Sequence, residues 1–169
     1  MRPVVPLLAV LALASAVAAP RVGDDPRQMG RGEHLYEWVH DWMDRGSEAV
    51  GNTHGAVAVD ADGNVYANTD ATGAVRVHAP DGTLLATWGA ELAGGLHCTT
   101  LVDEADGTFA YHAHTGRHEV VKTTLDGEIL WTLGYPESSG HYANAGEYRP
   151  TSVAVAPDGR IYVADGYGK

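Results

Sequence analysis

Short runs of alternating apolar and polar residues, separated by Asp-Gly pairs, recur along most of this chain. The clearest is TSVAVAPDGRIYVAD, Thr151–Asp165, in which two alternating runs flank Asp158-Gly159. An Asp-Gly pair between such runs predicts a β-hairpin, because Gly supplies the positive φ of a tight turn. The same unit occurs at His54–Asp70 and at His97–His114. A repeat of roughly 45 residues indicates the four-stranded blades of a β-propeller.

The turn spacing predicts four strands in each of the first two blades and two in the third. The first blade has Ala56–Asp60, Val65–Asn68, Val75–Ala79 and Leu84–Trp88; the second has Cys98–Asp103, Thr108–His112, Glu119–Thr123 and Ile129–Leu133; the third has Ser152–Ala156 and Arg160–Ala164. We therefore expect an all-β fold over residues 51–169, an incomplete ring of about two and a half to three blades that is six-bladed when complete. The sequence stops in the middle of a blade at Lys169.

The first 18 residues have the pattern of a signal peptide. Met1-Arg2 is followed by an apolar run that closes with Ala14, Ala16 and Ala18, and cleavage is expected after Ala18. The prediction is a secreted or periplasmic protein with no membrane association after cleavage. The alternative is a retained membrane anchor, for which the run is short.

Residues 19–50 form an N-terminal segment before the blades. The Gly-, Pro- and charge-rich stretch Arg21–Gly32 is predicted to be loop. The following Glu33–Arg45 fits either an alternating strand or a helical stripe. We predict a strand at Tyr36–Trp42, which would complete the last blade of the ring.

Charge and cysteine content narrow the functional classes. The chain has 22 Asp and Glu against 11 Lys and Arg, a formal net charge of −11 at pH 7. Such a chain is poorly suited to bind nucleic acid or an anionic membrane, since both require clustered cations. Cys98 is the only cysteine, so no internal disulfide can form, and it is expected to pack within a strand. The sequence does not define the oligomeric state.

The third unit resembles an NHL repeat. Arg149–Asp165 has the form R-P-x-x-V-A-V-x-P-D-G-R-I-Y-V-A-D, which is typical of these repeats. Within that superfamily the chain resembles the peptidyl-α-hydroxyglycine α-amidating lyases, also called peptidylamidoglycolate lyases. The motifs that carry this likeness are His97 at the start of an inner strand, R-H-E-V-V-K at Arg117–Lys122, and Asp165-Gly166-Tyr167.

The resemblance implies a six-bladed ring with zinc held by three His over the central channel and a structural calcium inside it. It also implies cleavage of a peptidyl-α-hydroxyglycine to a peptide amide and glyoxylate. By this likeness His97 is the first zinc ligand and Tyr167 the catalytic tyrosine, while the carbonyls of Ala56 and Thr99 lie near the calcium. The family's catalytic arginine is expected at the end of the second strand, where this chain has Asn68-Thr69-Asp70.

The position of the histidines supports a metal site independently. His54 and His97 open the inner strands of adjacent blades, so both should face the channel mouth, where converging imidazoles can bind Zn²⁺. Tyr167 could then serve as acid or base. The structural alternatives are His side chains that line the channel, bonded to water or backbone, and a Tyr167 that only packs beside a turn.

Two hypotheses of function follow. One is a zinc-dependent carbon–nitrogen lyase with a peptide or small-molecule substrate on the channel face. The other is a noncatalytic propeller that binds a protein, peptide or carbohydrate, or that supports a downstream domain.

Other side chains are assigned structural roles. His112, His114 and His118 are predicted to be exposed residues around the second-to-third-strand loop rather than a metal site of their own. Trp88 and Trp131 are expected to pack between blades.

Overall fold

A computed structural model describes residues 28–169 of the chain, and its regular structure is almost entirely antiparallel β-sheet. The chain divides into one unit that ends at His40 and a second from Asp41 to Lys169. The predicted signal peptide, residues 1–18, lies outside the described residues. Within the described part, none of the helices has the length and apolar character needed to cross a membrane.

The first unit contains a single described hairpin, in which β1 (Gln28–Arg31) pairs with β2 (His34–Glu37). The loop prediction for Arg21–Gly32 is therefore wrong over Gln28–Arg31. A two-residue connection joins Arg31 to its partner His34, and Gly32 takes φ 61° there, so a tight turn forms where the composition had suggested an irregular segment.

The predicted strand Tyr36–Trp42 is wrong beyond Glu37, where β2 ends. Asp41 adopts φ 54°, a left-handed conformation that interrupts an extended run. Trp42 belongs to the second unit. Its indole nitrogen donates to the Pro80 carbonyl at 3.1 Å, and its ring packs on His78 with centroids 5.8 Å apart.

The second unit begins with a complete four-stranded sheet in which each strand pairs with the next along the chain. Its strands are β3 (Val57–Val59), β4 (Val65–Asn68), β5 (Val75–His78) and β6 (Leu84–Trp88). A short 3₁₀ helix, Ala90–Leu92, leads to the second sheet.

The second sheet repeats this order with β7 (Leu96–Glu104), β8 (Gly107–His114), β9 (Glu119–Thr123) and β10 (Ile129–Leu133). Two 3₁₀ helices, Glu137–Ser139 and Ala145–Glu147, precede a two-stranded sheet of β11 (Ser152–Val155) and β12 (Ile161–Ala164). Successive four-stranded meanders are propeller blades, so the predicted fold class, an all-β propeller with an incomplete ring, is confirmed. The total of six blades stays a prediction.

Apolar clusters join neighbouring sheets. Between the first and second sheets, Val75, Leu96 and Val121 are fully buried in one cluster with Trp88 against it. A second cluster includes Val153 of the third sheet, and Trp131 packs against it. Complete burial of such side chains contributes roughly 1.5–3 kcal/mol each to stability. The predicted packing of both tryptophans between blades is confirmed.

The prediction that His112 and His114 are exposed is wrong. β7 begins at Leu96, earlier than expected, and the ladder continues until Leu96 lies opposite His114. β8 therefore extends to His114, and both histidines are buried, at 0% and 2% exposure. His118 lies in the following turn with φ 59°, and its Nδ1 is 2.7 Å from the Tyr148 carbonyl.

Candidate functional site

The three residues that the sequence singled out for chemistry, His54, His97 and Tyr167, lie together; we call them the inner-strand cluster. The His54 and His97 rings stack, with centroids 5.1 Å apart and planes inclined by 22°. Tyr167 meets His97 edge to face at 5.2 Å. His97 lies in β7, whereas His54 precedes β3 and Tyr167 follows β12, so segments next to three consecutive sheets create the cluster.

His97 is held by hydrogen bonds at both ring nitrogens. Nδ1 lies 2.9 Å from the Thr151 carbonyl oxygen, and Nε2 lies 3.2 Å from the Tyr167 hydroxyl oxygen. A carbonyl can only accept, so Nδ1 carries the proton and Nε2 offers its lone pair to the Tyr167 hydroxyl. This is the tautomer of a histidine that binds metal through Nε2.

The turn that carries Tyr167 packs closely on Thr151. A Cβ added to Gly166 would lie 2.5 Å from the Thr151 Oγ1, so the close approach requires glycine at this position. Asp165 braces the same turn by accepting from the Arg149 backbone N–H and from the Tyr142 hydroxyl, each at 2.8 Å. This contact with Asp165 raises the pKa of Tyr142. These bonds make Asp165 a structural residue of the turn.

The His54 side chain is exposed to solvent and lies beside the carboxylate of Asp70. Its Nε2 lies 3.5 Å from the Asp70 carboxylate, with side-chain exposures of 41% and 28%. The β3–β4 ladder does not reach either residue, because Gly55 takes φ 79° and the Asp70 N–H donates to the Asn52 carbonyl at 2.8 Å. The contact therefore lies beyond the paired strands, and no role for Asp70 was predicted from the sequence.

A buried polar chain lies between the first two sheets and was missed from the sequence. The Thr99 hydroxyl donates to Asn68 Oδ1 at 2.8 Å and lies 2.8 Å from His112 Nδ1; His112 Nε2 lies 3.1 Å from the Thr123 hydroxyl. Since the one Thr99 proton goes to Asn68, Nδ1 of His112 donates to Thr99 and the imidazole is neutral. Burial, with a contribution from His114, lowers the pKa of His112 to about 3. No sequence motif indicates such a series of hydrogen-bonded buried side chains.

The fit of these residues to zinc is partial. An imidazole whose Nδ1–H is fixed by a carbonyl, as in His97, has the chemistry of a zinc ligand. Among residues 28–169, however, no group of three or more His, Cys, Asp or Glu side chains is arranged to hold a metal ion. The Ala56 carbonyl, near which calcium was expected, accepts the Asn68 N–H at 3.3 Å. The calcium site stays a prediction.

Comparison with known proteins supports the repeat. Residues 148–169 match the NHL repeat family. Comparison with curated protein sequences gave no match. The narrower likeness to the amidating lyases therefore stays a prediction.

Solved structures show a similar chain course at low sequence identity. Virginiamycin B lyase from Staphylococcus aureus is 16% identical with a TM-score of 0.49, over 70% of this chain and 36% of that one. A protein of unknown function from Bacteroides caccae is 19% identical with a TM-score of 0.49, over 64% and 37%. The chain thus spans little more than a third of the length of these structures, and similarity at this level carries no functional conclusion.

Proposed function

We propose that this propeller is a zinc-dependent lyase that acts on a peptidyl-α-hydroxyglycine or a similar hydroxylated ligand, with the inner-strand cluster as part of its site. The observation that supports the proposal is the setting of His97, whose Nδ1 is fixed by the Thr151 carbonyl while Nε2 faces the Tyr167 hydroxyl. His54 would be a second nitrogen ligand. Among residues 28–169 no group of three His, Cys, Asp or Glu side chains is arranged around a metal ion, so a complete zinc site requires at least one further ligand.

The proposed reaction requires transfer of a proton from the substrate hydroxyl to the departing amide nitrogen. The substrate hydroxyl loses its proton, the carbon–nitrogen bond breaks, and the departing amide nitrogen gains a proton, which yields a peptide amide and glyoxylate. Zinc, when bound, supplies positive charge that polarises the substrate and acidifies its hydroxyl. The Tyr167 Oη is the group of the cluster that can exchange this proton. Because one lone pair cannot serve two partners, a ligating Nε2 of His97 releases the Tyr167 hydroxyl toward the substrate.

The test uses the full-length protein. We expect zinc to copurify and to be found by elemental analysis, and we expect glyoxylate release from a peptidyl-α-hydroxyglycine. His97→Ala should lose both, whereas the same change at the exposed His141 should leave both unchanged. Protein free of zinc and inactive after zinc addition would refute the proposal.

A second candidate is a noncatalytic propeller that binds a peptide, protein or carbohydrate on the face that carries the cluster, or that supports another domain. Two observations favour it. Residues 28–169 contain no cluster of three metal-binding side chains. Asn68-Thr69-Asp70 lie at the end of β4, where the resemblance to the amidating lyases implies a catalytic arginine. Ligand binding without zinc and without glyoxylate release would support this candidate over the first.

Export also belongs to the proposal, as a secreted or periplasmic protein that loses residues 1–18. N-terminal sequencing of the protein recovered from the extracytoplasmic fraction should begin at Ala19. Recovery of the uncleaved chain in the membrane fraction would instead support a retained anchor.

A further inference from the structure

Each stacked imidazole of the inner-strand cluster has an oxygen acceptor beside one of its nitrogens. For His97 the acceptor is the Thr151 carbonyl, 2.9 Å from Nδ1. For His54 it is the Asp70 carboxylate, 3.5 Å from Nε2. The two acceptors therefore lie beside different nitrogens of the two rings.

Asp70 is held in place by its surroundings. Its backbone N–H donates to the Asn52 carbonyl at 2.8 Å, and the preceding Thr69 N–H donates to the Ala74 carbonyl at 2.9 Å. Thr69 Oγ1 accepts the Ala71 N–H at 3.0 Å. Three consecutive backbone N–H groups are thus satisfied, two within the turn and one by Asn52 in the segment before β3, which fixes the backbone that carries the carboxylate.

A neutral imidazole has one N–H and one lone pair, and a nearby anion favours the tautomer with the N–H toward it. We propose that Asp70 is a positioning residue that holds His54 as the Nε2–H tautomer and in its stack on His97. The stacked pair then has lone pairs on Nδ1 of His54 and on Nε2 of His97, the second of which accepts the Tyr167 hydroxyl until a metal displaces it. Two imidazole lone pairs suit a divalent transition-metal ion such as zinc.

The use of this pair in catalysis rests on the proposed function, but the tautomers do not. A carboxylate that orients a ligating imidazole is worth about 10–100-fold in metal affinity. At 3.5 Å the contact is long for a hydrogen bond, so its effect is electrostatic, and removal of the charge should abolish it. A merely incidental surface pair would leave both the tautomer and the metal affinity unchanged.

The test is nitrogen NMR of the full-length protein labelled with ¹⁵N-histidine, at pH 8 and without metal. His54→Gln and His97→Gln variants assign the two rings. We expect His54 to carry its proton on Nε2 and His97 on Nδ1. In Asp70→Asn and Asp70→Ala, the His54 signals should move toward the mixed tautomers of a solvated imidazole, while His97 stays as it was. Asp62→Asn, an exposed turn aspartate of the same sheet, is the matched control.

Zinc affinity, measured by competition with a chromophoric chelator at the same pH, gives the second readout. We expect a loss of about 10–100-fold in Asp70→Asn and no change in Asp62→Asn. If the parent protein does not bind zinc, the proposed function fails, and the NMR spectra still decide the role of Asp70. His54 signals that are the same in the parent and in both Asp70 variants would overturn the inference.

Discussion

The Tyr167 hydroxyl lies 3.2 Å from Nε2 of His97, although 70 residues separate them in the chain. This contact places a proton donor on the lone pair that a metal or a substrate proton would otherwise use. Because the two residues also meet edge to face, the hydroxyl can be removed without loss of the ring contact.

Tyr167→Phe should keep the fold and lower kcat for glyoxylate release by about 10²–10⁴-fold, the usual contribution of a general acid or base. The measurement is steady-state kinetics on a peptidyl-α-hydroxyglycine. Tyr162→Phe, at an exposed tyrosine of β12, should have no effect. Equal activities of the two variants would remove Tyr167 from the mechanism.

The buried His112 should make the protein sensitive to acid. Its folded pKa, lowered by burial to about 3, lies below the ordinary value of 6.5. The neutral imidazole therefore contributes stability that is complete above pH 6.5 and is lost as the pH falls toward 3. A shift of this size corresponds to roughly 5 kcal/mol over the whole window.

Urea unfolding at a series of pH values checks this. His112→Gln should flatten the dependence of the unfolding free energy on pH below 6.5, although His114, whose pKa burial also lowers, leaves a residual slope. The same substitution at His141, which is exposed, should leave the slope unchanged. A His112→Gln protein with the slope of the parent would contradict the assignment.

Thr99→Val removes the hydroxyl that joins Asn68 to His112 and keeps the side-chain shape. Two buried polar groups then lose a partner, at about 1–3 kcal/mol each, so we expect a loss of roughly 2–6 kcal/mol in the free energy of unfolding. Thr132→Val, on the exposed face of β10, should change stability by less than about 0.5 kcal/mol. Similar values for both variants would show that the polar chain does not stabilise the boundary between the sheets.

Two Asp-Gly turns offer a matched test of packing between blades. Gly127 and Gly159 have similar positive φ values, 97° and 81°, but a Cβ on Gly127 would lie 2.7 Å from the Trp88 ring, and one on Gly159 would contact nothing within 4 Å. Gly159→Ala should cost about 1–2 kcal/mol for backbone strain alone. Gly127→Ala should cost a further 1–3 kcal/mol or so, because the ring must move.

Urea unfolding of both glycine variants gives the comparison. The double variants with Trp88→Ala should then lose about equal stability at either glycine, since the clash is gone. If Gly127→Ala is no more destabilising than Gly159→Ala, the packing of Trp88 against this turn is not part of the folded structure in solution.

The strand pattern could be predicted closely because it depends on local chemistry. Alternation and Asp-Gly turns predicted Val65–Asn68, Leu84–Trp88, Glu119–Thr123 and Ile129–Leu133 with the observed bounds. The prediction failed where the pattern was ambiguous. Alternating aromatics at Tyr36–Trp42 look like a strand, but the left-handed conformation of Asp41 interrupts it.

The residues of the site were partly predictable. His54 and His97 were identified from their equivalent positions in the repeat, and Tyr167 from a local motif. The contact of His54 with Asp70 lies beyond the β3–β4 ladder, in the segments before β3 and after β4, so the strand pattern did not predict it. The burial of His112 and His114 was misjudged because the true length of β7 decides it.

By itself, the sequence determined which segments are strands, where the chain turns, and that like four-stranded units follow one another, since these depend on neighbours a few residues apart. Only the tertiary structure decided that His54, His97 and Tyr167 share one cluster and that Asn68 meets Thr99. Those contacts join segments of different blades, and the apolar packing between the blades, rather than any local pattern, sets which side chains lie within hydrogen-bond distance.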